Sequence, residues 1–360
     1  MRTIDPEKRD GVAGIRFLGE RILPHRMQFE GTTVGGLSGI DFDHRSGRWV
    51  IISDDRSELH PARFYTAVID VDEHGPSEVR ITGVHTLLDP EGQPFPAFSA
   101  AGAASIDPED IRVDPRTGDY WWSQEGTRGE ATEDGEEIAA CSVHIAAPDG
   151  RHRGFFPLPA NYLEHGESTG PRRNYSLESI TFAARGALFI SALEGPLLQD
   201  GPLSTTEVGA LSRISVQNRR GRTLGQYAYR QEPLFTEPPT EGRPAHGVSA
   251  VLAYPGSVDR LLVLERTFMP GHGFKVWLFE VTLHGAVDVL HVDALAGVSG
   301  VALRKRLLID FDELPLPWLD NLEGMAWGPL LPTGERVLLL VSDDGFHPRE
   351  VTQFVALALR

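Results

Sequence analysis

Thiols are almost missing from this chain. Cys141 is the single cysteine in 360 residues, so no disulfide can close within the chain and no cysteine-based metal site is available. It lies between Ala140 and Ser142 in an apolar run, the setting of a buried, inert thiol. Lysine is nearly as scarce, at Lys8, Lys275 and Lys305, so arginine carries most of the positive charge. That charge is itself in deficit: 34 Lys and Arg face 51 Asp and Glu, a formal net charge of −17. Such a balance argues against nucleic acid or an anionic membrane surface as a partner. It leaves a cation, or a small-molecule substrate or ligand; an acidic substrate would need a bound metal or local arginines. No apolar run is long enough for a membrane-spanning helix. Residues 1–10 lack the apolar core of a signal peptide, so the expectation is a cytoplasmic chain or one whose leader has been removed. Nucleophile elbow, Ser-x-x-Lys, His-Glu-x-x-His, P-loop and EF-hand patterns are all missing. The nearest approach, Gly35-Gly36-Leu37-Ser38-Gly39, has the wrong spacing, and its serine begins a strand.

What the chain has is turns and alternation. Its 38 glycines and 26 prolines are spread along the sequence, while hydrophobic residues remain at 41%. That combination suits a turn-rich all-β protein. Residues 174–195 read as a hairpin with Glu178 near its start and Glu194 at its end. The same pattern recurs with Ser38, Glu109, Glu178, Ser249 and Glu323 in one position, at nearly even intervals along the chain. A steady period near 70 with about four strand signals in it is the mark of a radial β-repeat. The spacing predicts a single β-propeller domain of five blades. Six stay open, because residues 281–314 could hold merged strands. The fifth unit is one strand short, and residues 14–23 would fill the gap and close the ring after a polar lead-in over 1–12. The stretches 89–105, 127–137, 161–173, 197–207 and 231–243 read as loops.

In a propeller, the start of the innermost strand and the end of the second lie on one face. Those positions carry Ser38, Glu109, Glu178, Ser249 and Glu323, then Asp54/Asp55, Glu125, Glu194, Glu265 and Asp343/Asp344. They predict a ring of acids at the channel mouth. Crowded carboxylates need a cation or arginines, and Arg56, Arg128 and Arg266 follow the strand-ending acids. The competing reading is that these acids cap turns. His246 is a candidate ligand or acid/base group, and Asn174 and Asn321 are candidates to orient the acids. Each also reads as an ordinary loop residue.

At these residues the sequence resembles the phytase-like family described as "esterase-like activity of phytase". The resemblance rests on Gly36-Leu37-Ser38-Gly39-Ile40, Asp107-Pro108-Glu109-Asp110-Ile111, Ser176-Leu177-Glu178-Ser179-Ile180, Asn321-Leu322-Glu323-Gly324-Met325 and Ser342-Asp343-Asp344-Gly345. It covers roughly residues 30–358. It implies a propeller, a bacterial origin often with export, and hydrolysis of phosphate or carboxyl esters. The Asp-Ala-Ala-Asp-Asp-Pro type motif of calcium-binding propeller phytases does not occur here. The resulting expectation is a metal-assisted hydrolase of esters or phosphoesters. Ca²⁺ would be held among Glu109, Glu178, Glu323, Asp54 and Asp344. Glu178, Glu194 and Arg266 would serve catalysis, and Arg56, His246, Asn174 and Asn321 would bind substrate. A non-catalytic binding propeller and a structural calcium propeller are the alternatives.

Overall fold

The computed structural model describes residues 14–98, 105–132, 135–164 and 166–360. The expected lead-in over 1–12 lies outside them. Five four-stranded antiparallel sheets are found among the described residues. Blade 1 runs Leu37–Asp43, Arg48–Ser53, Arg63–Asp72 and Gly75–Thr86. Blade 2 comprises Pro108–Val113, Tyr120–Gln124, Ser142–Ala146 and His152–Phe156. Blade 3 comprises Leu177–Ala183, Leu188–Leu193, Leu211–Asn218 and Thr223–Arg230. Blade 4 comprises Ala245–Ala253, Arg260–Met269, Gly273–Thr282 and Lys305–Asp310. Blade 5 takes Asn321–Leu330, Arg336–Asp343 and Gln353–Leu359 from the C-terminal end. Its fourth strand is Ile15–Ile22, antiparallel to Gln353–Leu359 from Ile15 opposite Leu359 to Ile22 opposite Gln353. That pairing joins the two ends of the ring and covers an otherwise open edge.

The sixth-blade alternative ends at residues 283–304. They form no strand beyond an isolated bridge, and they dock along blade 3, where Leu303 N donates to Ala228 O and Val289 N to Gln226 O. The expected loop at 127–137 is instead a hairpin of Thr127–Thr132 and Gly135–Ala139.

Alternating side chains give each sheet two apolar faces, and the cores lie between blades. Trp121 and Trp122 are consecutive on one strand and so point to opposite faces. Trp122 packs with Phe64 and Ile52 of blade 1, and Trp121 with Phe189 and Ile180 of blade 3. Equivalent clusters fill the junctions of blades 3 and 4, 4 and 5, and 5 and 1.

Along the channel, side chains stitch neighbouring inner strands together. Asp41 Oδ2 accepts from Val113 N at 2.8 Å, Asp110 Oδ2 from Ile180 N at 3.0 Å, and Ser179 Oγ from Val251 N at 3.0 Å. Arg112 crosses the channel itself. Its guanidinium donates to Ile180 O, Ile40 O and Met325 O at 2.7, 2.7 and 2.8 Å, and to Asp110 Oδ2 at 2.9 Å. Blades 1, 2, 3 and 5 therefore meet on one buried cation, which separates the two mouths of the channel.

Candidate functional site

Each inner strand carries a register shift at the residue that marks the repeat. Leu37 faces Ser53 while Gly39 faces Ile52, which leaves Ser38 as the extra residue. Glu178, Ser249 and Glu323 are extra in the same way, and in blade 2 the irregularity spans Glu109 and Asp110. A bulge re-aims the extra side chain, so Glu109, Glu178 and Glu323 turn toward the mouth.

The second strands supply the matching residues Asp54, Glu125, Glu194 and Asp343, each following the residue paired just before the bulge. Blade 4 differs. In blade 3 Leu177 pairs with Leu193, and Glu194 comes next; in blade 4 the equivalent Val248 pairs with Glu265 itself. The blade 4 hairpin therefore holds an additional residue in its turn, and a shift of one position exchanges the two faces of a strand. Glu265, expected at the mouth, points away. It accepts from Tyr229 Oη and Lys305 Nζ at 2.5 Å and from Glu232 N at 2.7 Å. Arg266 takes its place and enters the acids.

Arg266 Nη2 lies 2.5 Å from Glu323 Oε1 and 3.8 Å from Glu178 Oε1, and its Nη1 lies 3.4 Å from Glu194 Oε1. Asn321 Nδ2 donates to Glu323 Oε1 at 3.0 Å. Arg56 stacks on Phe98, 4.1 Å from the ring centroid, and reaches Asp107 Oδ2 at 3.3 Å. Glu125 Oε1 accepts from Ser176 N at 2.9 Å. Close packing fixes Glu194 as well: a Cβ on Gly247 would strike Glu194 Cγ.

The carboxylates Asp54, Asp107, Glu109, Glu125, Glu178, Glu194, Glu323 and Asp343 feel one another across this mouth. Burial, and then repulsion from the neighbouring acids, pushes Asp54, Glu109, Glu125, Glu178 and Asp343 well above the usual carboxylate range. Burial raises Glu194 to about 7 against the pull of Arg266, and raises Asp107 to about 6 against Arg56. Opposing its own burial, Glu323, Glu194 and Glu178 hold Arg266 protonated.

A pH dependence follows. The folded protein retains protons on Glu194 and Asp107 that the unfolded chain has released. Rising pH therefore favours unfolding. Their stabilising effect is complete below about pH 4 and is lost as pH passes through about 6 to 7. For Glu194 the loss is on the order of 3 kcal/mol. In chelator, the melting temperature should fall between pH 5 and pH 8. A flat profile would contradict this electrostatic picture.

Two groups of three carboxylates each offer oxygens within 4.8 Å of one another: Asp107, Glu109 and Glu125, and Glu125, Glu178 and Glu194. Glu125 belongs to both. Oxygens on opposite sides of a calcium ion lie about 4.8 Å apart, twice a bond of about 2.4 Å. An all-carboxylate donor set suits such a hard cation, so these residues fit Ca²⁺ chemically.

The other predicted residues fall elsewhere. Asp344, expected among the metal ligands, has both oxygens engaged: Oδ1 accepts from Gly36 N and Phe346 N, and Oδ2 from Thr352 Oγ1. The same crowding requires glycine at Gly36, where φ is +59° and a Cβ would strike Asp54 Oδ1. Asp54 and Glu323 border the acids without belonging to either group of three. Asn174 is exposed on a turn with φ +53°. His246 is buried, with Nδ1 2.5 Å from Thr267 Oγ1. Burial, together with Arg266 and Lys305, lowers its pKa to about 4, against a hydrogen bond to the Glu232 backbone. It is a neutral imidazole at neutral pH. Arg128 lies in the hairpin strand Thr127–Thr132. Glu125 was expected in the ring of acids but not among the metal ligands, and Asp107 was expected in neither place. The repeat marks Glu125, whereas Asp107 precedes the blade 2 strand outside the repeating positions.

The sequence profile described as "Phytase-like: Esterase-like activity of phytase" matches residues 32–346. The chain belongs to this family. No curated protein matches this phytase-like chain. Among solved structures, it is similar to a GH43 β-1,3-galactosidase with galactodeoxynojirimycin, at 9% identity and a TM-score of 0.45, covering 94% of each chain. It is also similar to a glucose dehydrogenase, at 11% identity and a TM-score of 0.34, covering 96% of this chain and 99% of that one.

Proposed function

We propose that this phytase-like propeller is a metal-assisted hydrolase of esters, phosphoesters foremost, working at its acidic mouth. The observation that carries the reading is the pair of carboxylate groups joined at Glu125. Asp107, Glu109, Glu125, Glu178 and Glu194 would hold divalent cation, Ca²⁺ by the chemistry of the donors. When bound, it would polarise the substrate oxygen and lower the pKa of bound water. Arg56 and Arg266 would hold an anionic substrate, as guanidinium groups do for phosphate and carboxylate oxygens. Glu323 and Asn321 keep Arg266 in place.

The test is hydrolysis of 4-nitrophenyl phosphate and 4-nitrophenyl acetate with Ca²⁺ and after chelation. Glu178→Gln should lower kcat/KM by about 100-fold or more. Hydrolysis unchanged in that variant and in chelator would remove the reading. One observation favours a structural cation instead: all five carboxylates come from blades 2 and 3 or the segment leading into blade 2, so an ion there would clamp those blades. Chelation that lowers the melting temperature of a protein inactive on both esters would decide for that role.

A further inference from the structure

At the opposite end of the channel, beyond Arg112, lies a pocket of about 390 Å³. That volume is within the range of small-molecule sites. All five blades contribute to its walls, and its aromatic lining is Phe42, Phe182, Tyr254 and Trp327. The polar ends of the two larger rings are satisfied elsewhere. Trp327 Nε1 donates to Ala253 O at 2.8 Å, and Tyr254 bonds to Glu280. What these residues offer the pocket is therefore ring surface.

The lining of this end carries Arg45, Arg112, Arg185 and Arg336 beside Asp41, Asp43 and Asp114. Arg112 is paired with Asp110, whereas Arg45 donates to the carbonyls of Arg116 and Thr117, and Arg336 to that of Gly328. Carbonyl partners leave a guanidinium's charge uncompensated. The pocket's acids are spoken for: Asp43 accepts from Arg45 N, Ser46 Oγ and Tyr120 Oη, and Asp114 from Arg116 N, Thr117 Oγ1 and Arg219. Asp41 accepts from Phe42 N and Val113 N. Arg219 and Arg260 lie over two of the rings, 5.3 Å from the Phe182 centroid and 4.3 Å from that of Tyr254, each paired with an acid, Asp114 and Glu280.

Arg185 completes the arrangement. It is exposed on the turn of the blade 3 hairpin, in a left-handed conformation (φ 54°, ψ 44°) directly after Ala184 at φ 51°. Two consecutive non-glycine residues in that region are strained, and such strain tends to persist at functional positions. We infer that the channel end opposite the acidic mouth binds a planar aromatic monoanion, its ring against Phe42, Phe182, Tyr254 and Trp327 and its carboxylate toward Arg185. This site is independent of the proposed hydrolysis.

The probe is 2-naphthoate, titrated into the full chain by calorimetry, with 2-naphthamide as the neutral control. Naphthoate should bind one to one. Arg185→Gln, on an exposed turn, should weaken it about tenfold and leave the weaker naphthamide binding unchanged. Tyr254→Leu should weaken both, with folding checked by its melting transition, and Glu178→Gln should change neither. Three results would overturn the inference: no naphthoate binding at millimolar concentration, equal affinity in parent and Arg185→Gln, or loss of binding in Glu178→Gln.

Discussion

Arg112→Met should lower the melting temperature by about 5 °C, because it removes a buried cation that four hydrogen bonds hold in the channel. Methionine can fill the space of the aliphatic stem. It cannot satisfy Ile40 O, Ile180 O and Met325 O, which lie on three different blades. It also strips Asp110 of its paired charge, and both partners of that ion pair are almost fully buried. Breaking a buried pair on one side costs about 3–5 kcal/mol. For a chain of this length, with an unfolding entropy of about 2.1 cal/mol/K per residue, that converts to several degrees. The control is Arg185→Gln at the same end of the channel, where an exposed substitution should change stability by no more than about 0.5 kcal/mol. Scanning calorimetry on both variants reads the difference. An Arg112→Met protein that melts together with its parent would mean that the blades do not depend on this guanidinium.

Glu125→Gln should invert the stability order between chelator and calcium. Without divalent cation, burial and then repulsion from Asp107 and Glu194 disfavour a charge on Glu125. Glutamine keeps an oxygen for Ser176 N and removes the charge. At pH 8 in chelator, the variant should therefore melt above the parent. In millimolar Ca²⁺ the parent should gain about 2–3 kcal/mol if the ion is present at about 100 times its dissociation constant. The variant, deprived of the ligand common to both groups, should gain little. Calorimetric titration should show calcium affinity reduced at least about 100-fold. An equal response to calcium in both proteins would place the ion elsewhere or nowhere.

The blades were legible in the sequence because a propeller's signals are local. Strand alternation and turn residues recur at one steady period, and 14–23 stands out as a strand without a partner. Ile15–Ile22 does take the vacant place in blade 5. The aromatic pair Trp121-Trp122 packs between blades for an equally local reason, since consecutive strand residues must point to opposite faces. The acids of blades 2 and 3 were legible for the same reason: Glu109, Glu125, Glu178 and Glu194 sit at equivalent places in equivalent hairpins.

The chain's composition and period thus determined an acidic propeller with carboxylates gathered at one mouth, and left five or six blades open. Tertiary structure decided which of them come together. The difference rests on register. An additional residue in the blade 4 turn directs Glu265 outward and Arg266 inward, and turn lengths read from sequence do not resolve so small a change. Asp344 looks like Asp343 in sequence, but the fold spends its oxygens on Gly36, Phe346 and Thr352. Asp107 lies outside the repeat and joins Glu109 and Glu125 only through the fold of blade 2. The Arg112 crossing and the pocket beyond it are likewise tertiary, since they take carbonyls and rings from blades as far as 213 residues apart. The hairpin over 174–195 made Glu178 and Glu194 visible, and the ring supplied their partners.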